Sequence, residues 1–402
     1  MKSVSQDIKD PAFVENPYAF YDQLRAMGGL VHWEEIGHGV VASHDGVAMA
    51  LRDNRLGREA PEGFAPDIPP TLKTFYEIDA HSMLELEGDA HRRLRGLVLR
   101  AFTSRRIKGF QPEIEAICDD LLDGLAATFE ESGSDSPVNL LDHFCKPLPV
   151  RVIARLLGVP EEMCDQLLAW SNAMVAVYTP NADRATQDAA EAAAIAFSDF
   201  MRAYVDARRD DPRDDLITHL IAAETEGEKL TTEELITTCI LLLNAGHEAT
   251  VHSLGIAVKT LLEHDTDRTL IHGEGIDALI EEVLRYDPPL HLFNRWVYED
   301  MEFQGTQLKR GDRIGLLLAA AGRDGEAWDD PDRFIPTRPI KQNAAFGAGI
   351  HFCVGAPLAR LELRVALPRL FARFPELSLA EPPVYADTWH FHGLSQLMVK
   401  TR

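Results

Sequence analysis

The stretch Phe346-Gly347-Ala348-Gly349-Ile350-His351-Phe352-Cys353-Val354-Gly355 decides the reading of this chain, together with Ala356-Pro357-Leu358-Ala359-Arg360-Leu361-Glu362 behind it. One cysteine sits in a loop with three glycines around it. An amphipathic helical run leaves from that loop. Glycine lets the backbone turn tightly and approach a large flat ligand without a Cβ in the way. The loop feeds the N-terminus of a helix that starts near Pro357. Exposed N–H groups and the helix dipole at such an end lower the free energy of a thiolate.

A lone cysteine is most often a small buried hydrophobe. Cys118, Cys145, Cys164 and Cys239 lie in plain apolar or amphipathic contexts and read as structural. Zinc wants more ligands, and no second Cys or His pair at zinc spacing accompanies Cys353. A thiolate presented from a glycine loop suits an axial ligand of haem iron, where it pushes electron density onto the metal and favours O–O cleavage. The stretch resembles the cysteine-ligand loop of the cytochrome P450 family, the haem-thiolate monooxygenases. The resemblance implies that Cys353 ligates the iron of haem b (Fe-protoporphyrin IX), with Phe346, Gly347, His351 and Gly355 around it.

Three further stretches carry the same resemblance. Glu282-Val283-Leu284-Arg285 places a carboxylate and a guanidinium on one helix face. Alone it reads as surface decoration. Followed by Tyr286-Asp287-Pro288-Pro289 and then by the cysteine loop, it resembles the family's buried Glu–Arg pair. The third member is Arg333 or Arg338, and the sequence leaves that choice open. Asp89-Ala90-His91-Arg92-Arg93-Leu94-Arg95 sets His91 and Arg95 four apart on a predicted helix. Burying two haem propionates demands such partners. The resemblance assigns that role to His91, Arg95, Arg295 and His351, while Arg92 and Arg93 read as solvated.

The last stretch is Leu242-Leu243-Asn244-Ala245-Gly246-His247-Glu248-Ala249-Thr250, inside a predicted helix of about 231–264 that Thr231 and Glu234 open with a capping box. A mid-helix glycine costs roughly 1 kcal/mol against alanine, so it has a reason, either close packing or a locally opened helix. The resemblance makes Ala245 and Gly246 an oxygen groove and Glu248 the acid that relays protons. The family's residue after the acid is commonly threonine. Here it is Ala249, which donates no hydrogen bond. Thr250 lies one step on, about 100° round the helix, and its catalytic role is in doubt.

The rest of the sequence sets the frame. The chain has 402 residues, 46% of them hydrophobic, enough for a large core. Most of it has helical periodicity, with a few short strand candidates near the ends. The expected fold is mainly α (α+β), the triangular P450 fold, as a single domain over 1–402. Residues Glu59–Asp79 read as a long loop. A net charge of −24 argues against general nucleic-acid binding. Five cysteines without framework spacing suit a reducing cytoplasm. The apolar runs Ile240–Leu243 and Ile314–Ala321 are too short to span a bilayer. A soluble, cytoplasmic monomer is expected.

The expected activity is insertion of one atom of O₂ into a mid-sized, largely apolar small molecule by hydroxylation, epoxidation or oxidative dealkylation. Leu290, Leu292, Phe293 and Phe391 are candidate substrate contacts. With no flavin or iron–sulfur domain read in the chain, electrons are expected from NAD(P)H through a separate ferredoxin or flavodoxin and its reductase. A basic face with Arg92, Arg93, Arg100, Arg105, Arg106 and Arg364 is the expected docking side. Two other readings compete: a peroxide-dependent haem peroxygenase, and a haem protein that only binds a ligand. Peroxide users of the family usually carry an arginine–proline pair where this chain has Glu248-Ala249.

Overall fold

The structure is a computed structural model and describes residues 1–133, 136–178, 182–225 and 228–401. Helices dominate, with small sheets, and the chain forms two compact units. One holds residues 1–64, 118–145 and 249–402; the other holds 65–117 and 146–248. The helix Thr232–Glu263 runs from the second unit into the first. Thr231 opens it as expected: its N–H donates to Glu234 Oε2 at 2.9 Å, and Glu234 N–H donates to Thr231 Oγ1 at 3.2 Å. No described helix is long and apolar enough to cross a membrane.

The first unit is built on a six-stranded sheet in the order Lys2–Val4, Leu30–Trp33, His38–Val41, Arg313–Leu317, Leu292–Val297, Leu56–Gly57. The second and third strands pair antiparallel with Leu30 opposite Val41. Arg313–Leu317 joins them by a parallel pairing, Ile314 opposite Gly39, and sets Ile314 opposite Arg295 on its other side. Val41, Val297, Ile314 and Leu316 share a core with Val47 and Ala50 of the helix His44–Ala50. Each fully buried large side chain of this kind contributes about 1.5–3 kcal/mol. The sheet thereby fixes the two segments that matter later, Leu290–Arg295 and the chain beyond Leu317.

In the second unit the helix Arg184–Asp210 packs along Cys164–Val175. Asp183 caps it, accepting from Thr186 N–H at 2.8 Å. Arg208 and Asp215 form a buried pair at 2.8 Å. The pair lies against Gly158, which ends the helix Pro147–Leu157 at φ +87°; a Cβ there would stand 2.3 Å from Asp215 Oδ2. Only glycine serves that position. The expected loop Glu59–Asp79 is not all loop. Lys73–Asp79 is a helix that buries Phe75 and Ile78. Its free N–H groups at Thr74 and Phe75 donate to Glu191, at 2.8 and 3.0 Å. The cap comes from a helix more than a hundred residues on, so no local signal announced it.

Glu282 and Arg285 settle the choice left open by the sequence. Both side chains are 1% exposed. Arg285 clasps Glu282 with two parallel bonds, Nε to Oε2 at 2.7 Å and Nη2 to Oε1 at 2.8 Å. Arg338, not Arg333, supplies the third charge, Nε to Glu282 Oε2 at 3.0 Å. The Arg333 side chain reaches Asp330 at the surface. Arg333 still takes part through its backbone, whose carbonyl accepts from Arg285 Nη2 at 3.0 Å. Arg285 Nη1 also holds the carbonyls of Gly322 and Pro331, each at 2.7 Å. One ion cluster therefore pins the chain from Gly322 to Arg338, the approach to the cysteine loop.

Arg285→Ala should cost about 3–5 kcal/mol, because it takes one of two guanidiniums from a buried carboxylate and leaves three carbonyls without their donor. The check is the denaturation midpoint and the soluble yield. A variant as stable as the parent would reduce this cluster to decoration.

Candidate active site

The cysteine loop starts from its glycines. Gly347 and Gly349 have φ of +67° and +70°. A Cβ on Gly349 would lie 2.3 Å from the carbonyl oxygen of Leu51. The loop therefore turns where L side chains are strained, and it packs backbone on backbone. Cys353 N–H donates to Phe346 O at 3.1 Å, closing the turn. Three residues later Ala356 begins the helix Ala356–Arg373, with Gly355 as its N-cap. A Cβ on Gly355 would touch Cys353 Sγ at 3.8 Å, which is ordinary contact. The sulfur thus lies beside the positive end of an eighteen-residue helix. Arg360, one turn in, places its guanidinium 4.4 Å over the Phe346 ring and pairs with Glu281.

The five cysteines separate by exposure. Cys118, Cys145, Cys164 and Cys239 are buried, and Cys353 is half-buried. Burial pushes the Cys164 thiol up to about 11 and the Cys239 thiol up to about 12. Those two stay protonated and inert.

Arg295 and His351 belong to the same unit. Arg295 is buried and donates from Nη1 to Asn294 O at 2.9 Å. His351 sits in the single 3-10 turn Gly349–His351 of the cysteine loop. Phe293 packs into the sheet core, and a Cβ on Gly347 would stand 3.4 Å from its ring. The strand that carries Arg295 thus abuts the cysteine loop. Leu290 and Phe391 form an antiparallel bridge. His291 N–H donates to His390 O at 3.0 Å, and His392 N–H to Pro289 O at 2.8 Å. Two sequence stretches chosen separately as substrate contacts are one paired structure. Leu290, Leu292, Phe293 and Phe391 are each half-buried.

In the other unit His91 and Arg95 lie on the helix Gly88–Ala101, His91 buried and Arg95 half-buried. Arg92 is solvated and pairs with Asp89 at 2.5 Å. Arg93 departs from its expected solvated state: it pairs with Glu234, tying this helix to the capping box of Thr232–Glu263. Arg106 faces Asp214 at 3.7 Å. In the first unit Arg364 pairs with Asp277. Acids thus counter several charges of the expected basic face.

The long helix stays α-helical through Ala245-Gly246. Gly246 is closely packed on one side, since a Cβ there would lie 3.1 Å from Ile153 Cγ1. Ala245 is exposed on a helix whose neighbours Leu242, Leu243 and His247 are buried. His247 donates from Nδ1 to Leu243 O at 2.8 Å. Burial pushes the Glu248 carboxyl up to about 7, and its Oε2 is buried with no hydrogen-bond partner. Such a group in an apolar helix is costly unless it has work to do. After it, Ser253 Oγ donates to Ala249 O at 2.8 Å, and Thr250 is buried.

Within the first unit the residues fit a haem: one half-buried cysteine lies beside a helix N-terminus, with His351 in the same loop and Arg295 on the strand that abuts it. Sequence reasoning missed the polar cluster at Asp287, whose members come from both ends of the chain. The only local trace of it was His291 after the two prolines and the pair His390 and His392.

Comparison with known proteins shows the family. The family model described as Cytochrome P450 matches residues 40–274 and 274–383. Cytochrome P450 107B1 of Saccharopolyspora erythraea is 35% identical, over 97% of this chain and 96% of the relative. Vitamin D(3) 25-hydroxylase of Pseudonocardia autotrophica is 36% identical, over 98% of this chain and 96% of the relative. The crystal structure of P450BioI with a hexadec-9Z-enoic acid ligated acyl carrier protein superposes with a TM-score of 0.89 at 32% identity, covering 97% of this chain and 99% of that one. With the glycine-framed cysteine, the Glu282–Arg285–Arg338 cluster and the mainly helical fold all in place, the chain belongs to the cytochrome P450 family of haem-thiolate monooxygenases.

Proposed function

We propose that Cys353 is the axial ligand of haem b and that Glu248 delivers protons for oxygen activation in this monooxygenase. The observation that carries the proposal is the Cys353 sulfur, half-exposed beside the N-terminus of Ala356–Arg373 while the other four cysteines are buried. Bound haem supplies the one-electron chemistry by which one atom of O₂ enters an organic substrate and the other leaves as water.

The chain's own residues do the rest. Helix N–H groups and the dipole favour the thiolate form of Cys353. His91, Arg95, Arg295 and His351 bind the propionates, whose burial requires charged or hydrogen-bonding partners. Glu248, set near neutrality by burial, gives and takes a proton at Oε2 without a large driving force either way. Ala249 donates nothing. Ser253 does not replace it, because its hydroxyl is spent on the Ala249 carbonyl. A second proton then passes through water, a substrate hydroxyl or Glu248 itself.

Leu290, Leu292, Phe293 and Phe391 form an apolar wall with histidine and asparagine nearby, suited to a mid-sized apolar molecule with a polar handle. The named relatives, a vitamin D(3) hydroxylase and a protein seen with an acyl chain, support that class. Electrons come from NAD(P)H through a separate ferredoxin or flavodoxin and its reductase.

Cys353→Ser should lose the red-shifted carbon monoxide band of the reduced protein, since a neutral hydroxyl is a poor donor to iron. A normal band in the variant would sink the assignment. Glu248→Gln should slow product formation by roughly a hundredfold, because an amide relays no proton. Thr250→Ala should change product per nicotinamide oxidised by less than about twofold, as that side chain is turned about 100° from position 249. The reverse ranking would overturn the proton route.

Glu248 also predicts a pH dependence of stability. Its native pKa of about 7 lies above its ordinary 4.5. Below pH 4.5 both folded and unfolded chains hold the proton, and the group contributes nothing. As pH rises to 7 the unfolded chain ionises first, so stability falls and stays lower above pH 7. Glu248→Gln should therefore gain stability over the parent at pH 8 and none at pH 4. Denaturation midpoints at the two pH values decide it.

A further inference from the structure

Asp287 caps the helix Ile276–Tyr286 and is buried. Its Oδ1 accepts from the Tyr18 hydroxyl at 2.7 Å and faces His392 Nδ1 at 3.1 Å. Its Oδ2 accepts from the Tyr385 hydroxyl at 2.5 Å and lies 3.8 Å from Lys259 Nζ. Burial alone would raise this carboxyl. The charge and hydrogen bond of His392, with the charge of Lys259, outweigh burial and hold it well below the usual range. Asp287 is a carboxylate, and both its oxygens only accept.

His392 is held at both ring nitrogens. Its Nε2 lies 3.0 Å from the carbonyl oxygen of Val14, and a carbonyl only accepts. Its Nδ1 faces a carboxylate oxygen. Both ring nitrogens thus face acceptors, a carboxylate on one side and a carbonyl on the other. It stacks on Tyr385 with centroids 3.9 Å apart and a 16° tilt. Next to it His291 is fully buried, with Nδ1 2.9 Å from the Tyr21 hydroxyl. Burial and the His392 charge keep His291 neutral.

Asp287, His291 and His392 have the composition of a two-histidine, one-carboxylate metal site, with ligand atoms within 4.8 Å of one another. The hydrogen bonds argue for another role. Both His392 nitrogens face acceptors, two tyrosine hydroxyls occupy the carboxylate, and an ammonium stands beside it. The cluster is a hydrogen-bonded ion pair.

What the pair holds is the bridge between Leu290 and Phe391. In extended backbone alternate side chains face opposite ways. His291 and His392 are buried; Leu290, Leu292 and Phe391 are half-buried. The cluster therefore grips both segments from behind while the apolar residues face the other way. Resting on the monooxygenase reading, we propose that Asp287 and His392 are positioning residues that set the Leu290–Phe391 wall and thereby decide how long an apolar substrate the enzyme accepts.

The test uses the haem-loaded protein and two azoles read by optical titration. Imidazole probes the iron site without an apolar chain, and 1-dodecylimidazole adds a long apolar chain to the same donor. His392→Gln, which satisfies only one of the two acceptors with a neutral donor, should bind imidazole within about twofold of the parent and 1-dodecylimidazole about tenfold more weakly. His392→Arg keeps a cation with donors for both acceptors and should restore 1-dodecylimidazole to within about threefold. Tyr385→Phe removes one hydrogen bond without stranding a charge, and should shift the long azole alone by about threefold if His392→Gln fails to fold. Unchanged binding of both azoles, or equal loss of both, would overturn the positioning role while leaving the haem reading intact. A parent with no azole spectral shift would bring down that reading and the proposal with it. One equivalent of zinc in the parent, lost in His392→Gln, would make the cluster a metal centre and overturn the ion pair.

Discussion

The Glu282 carboxylate is the constraint on which the cysteine side of the molecule depends. It accepts two bonds from Arg285, one from Arg338 and one from the backbone N–H of Ile335 at 2.8 Å. Arg285 in turn holds the carbonyls of Gly322, Pro331 and Arg333. Burying one carboxylate with two guanidiniums is expensive unless nearly every donor is satisfied. Here the satisfaction comes from a segment with little regular structure. Between Gly322 and Gly349 the chain has no helix or strand, so its path is set by these bonds. The cysteine loop inherits its position from that path, and from the contact of Gly349 with Leu51.

Polar burial follows the same logic elsewhere in the first unit. Asp287, His392, Tyr18 and Tyr385 form a second satisfied network, joining residues from both ends of the sequence. In the second unit Arg208, Asp215 and Gly158 form a third. Glu248 differs from all of these. Its raised pKa arises from desolvation with no compensating charge, and one of its oxygens has no hydrogen-bond partner. The carboxylates of those three networks have charged partners, whereas burial alone raises Glu248, as it does the buried Glu362 of the helix behind the cysteine loop.

What the sequence disclosed was local. The glycine-framed cysteine, the Thr231–Glu234 capping box and the Glu282–Arg285 spacing are each read within one turn or loop, and they needed no tertiary knowledge. What it hid was long-range. Arg333 and Arg338 look alike in sequence, and only the fold turns one outward to Asp330 and the other inward to Glu282. The helix Lys73–Asp79 lies in a stretch read as loop because its cap, Glu191, belongs to another helix. Gly246 packs closely on Ile153, a contact between two helices that no local pattern announces. His392 and Asp287 are 105 residues apart. No period or motif links them.

Iron K-edge X-ray absorption on the ferric, haem-loaded protein tests the central claim most directly. If Cys353 is the axial ligand, the first shell must contain one sulfur scatterer beside the porphyrin nitrogens. A first shell of nitrogen and oxygen alone would contradict the account.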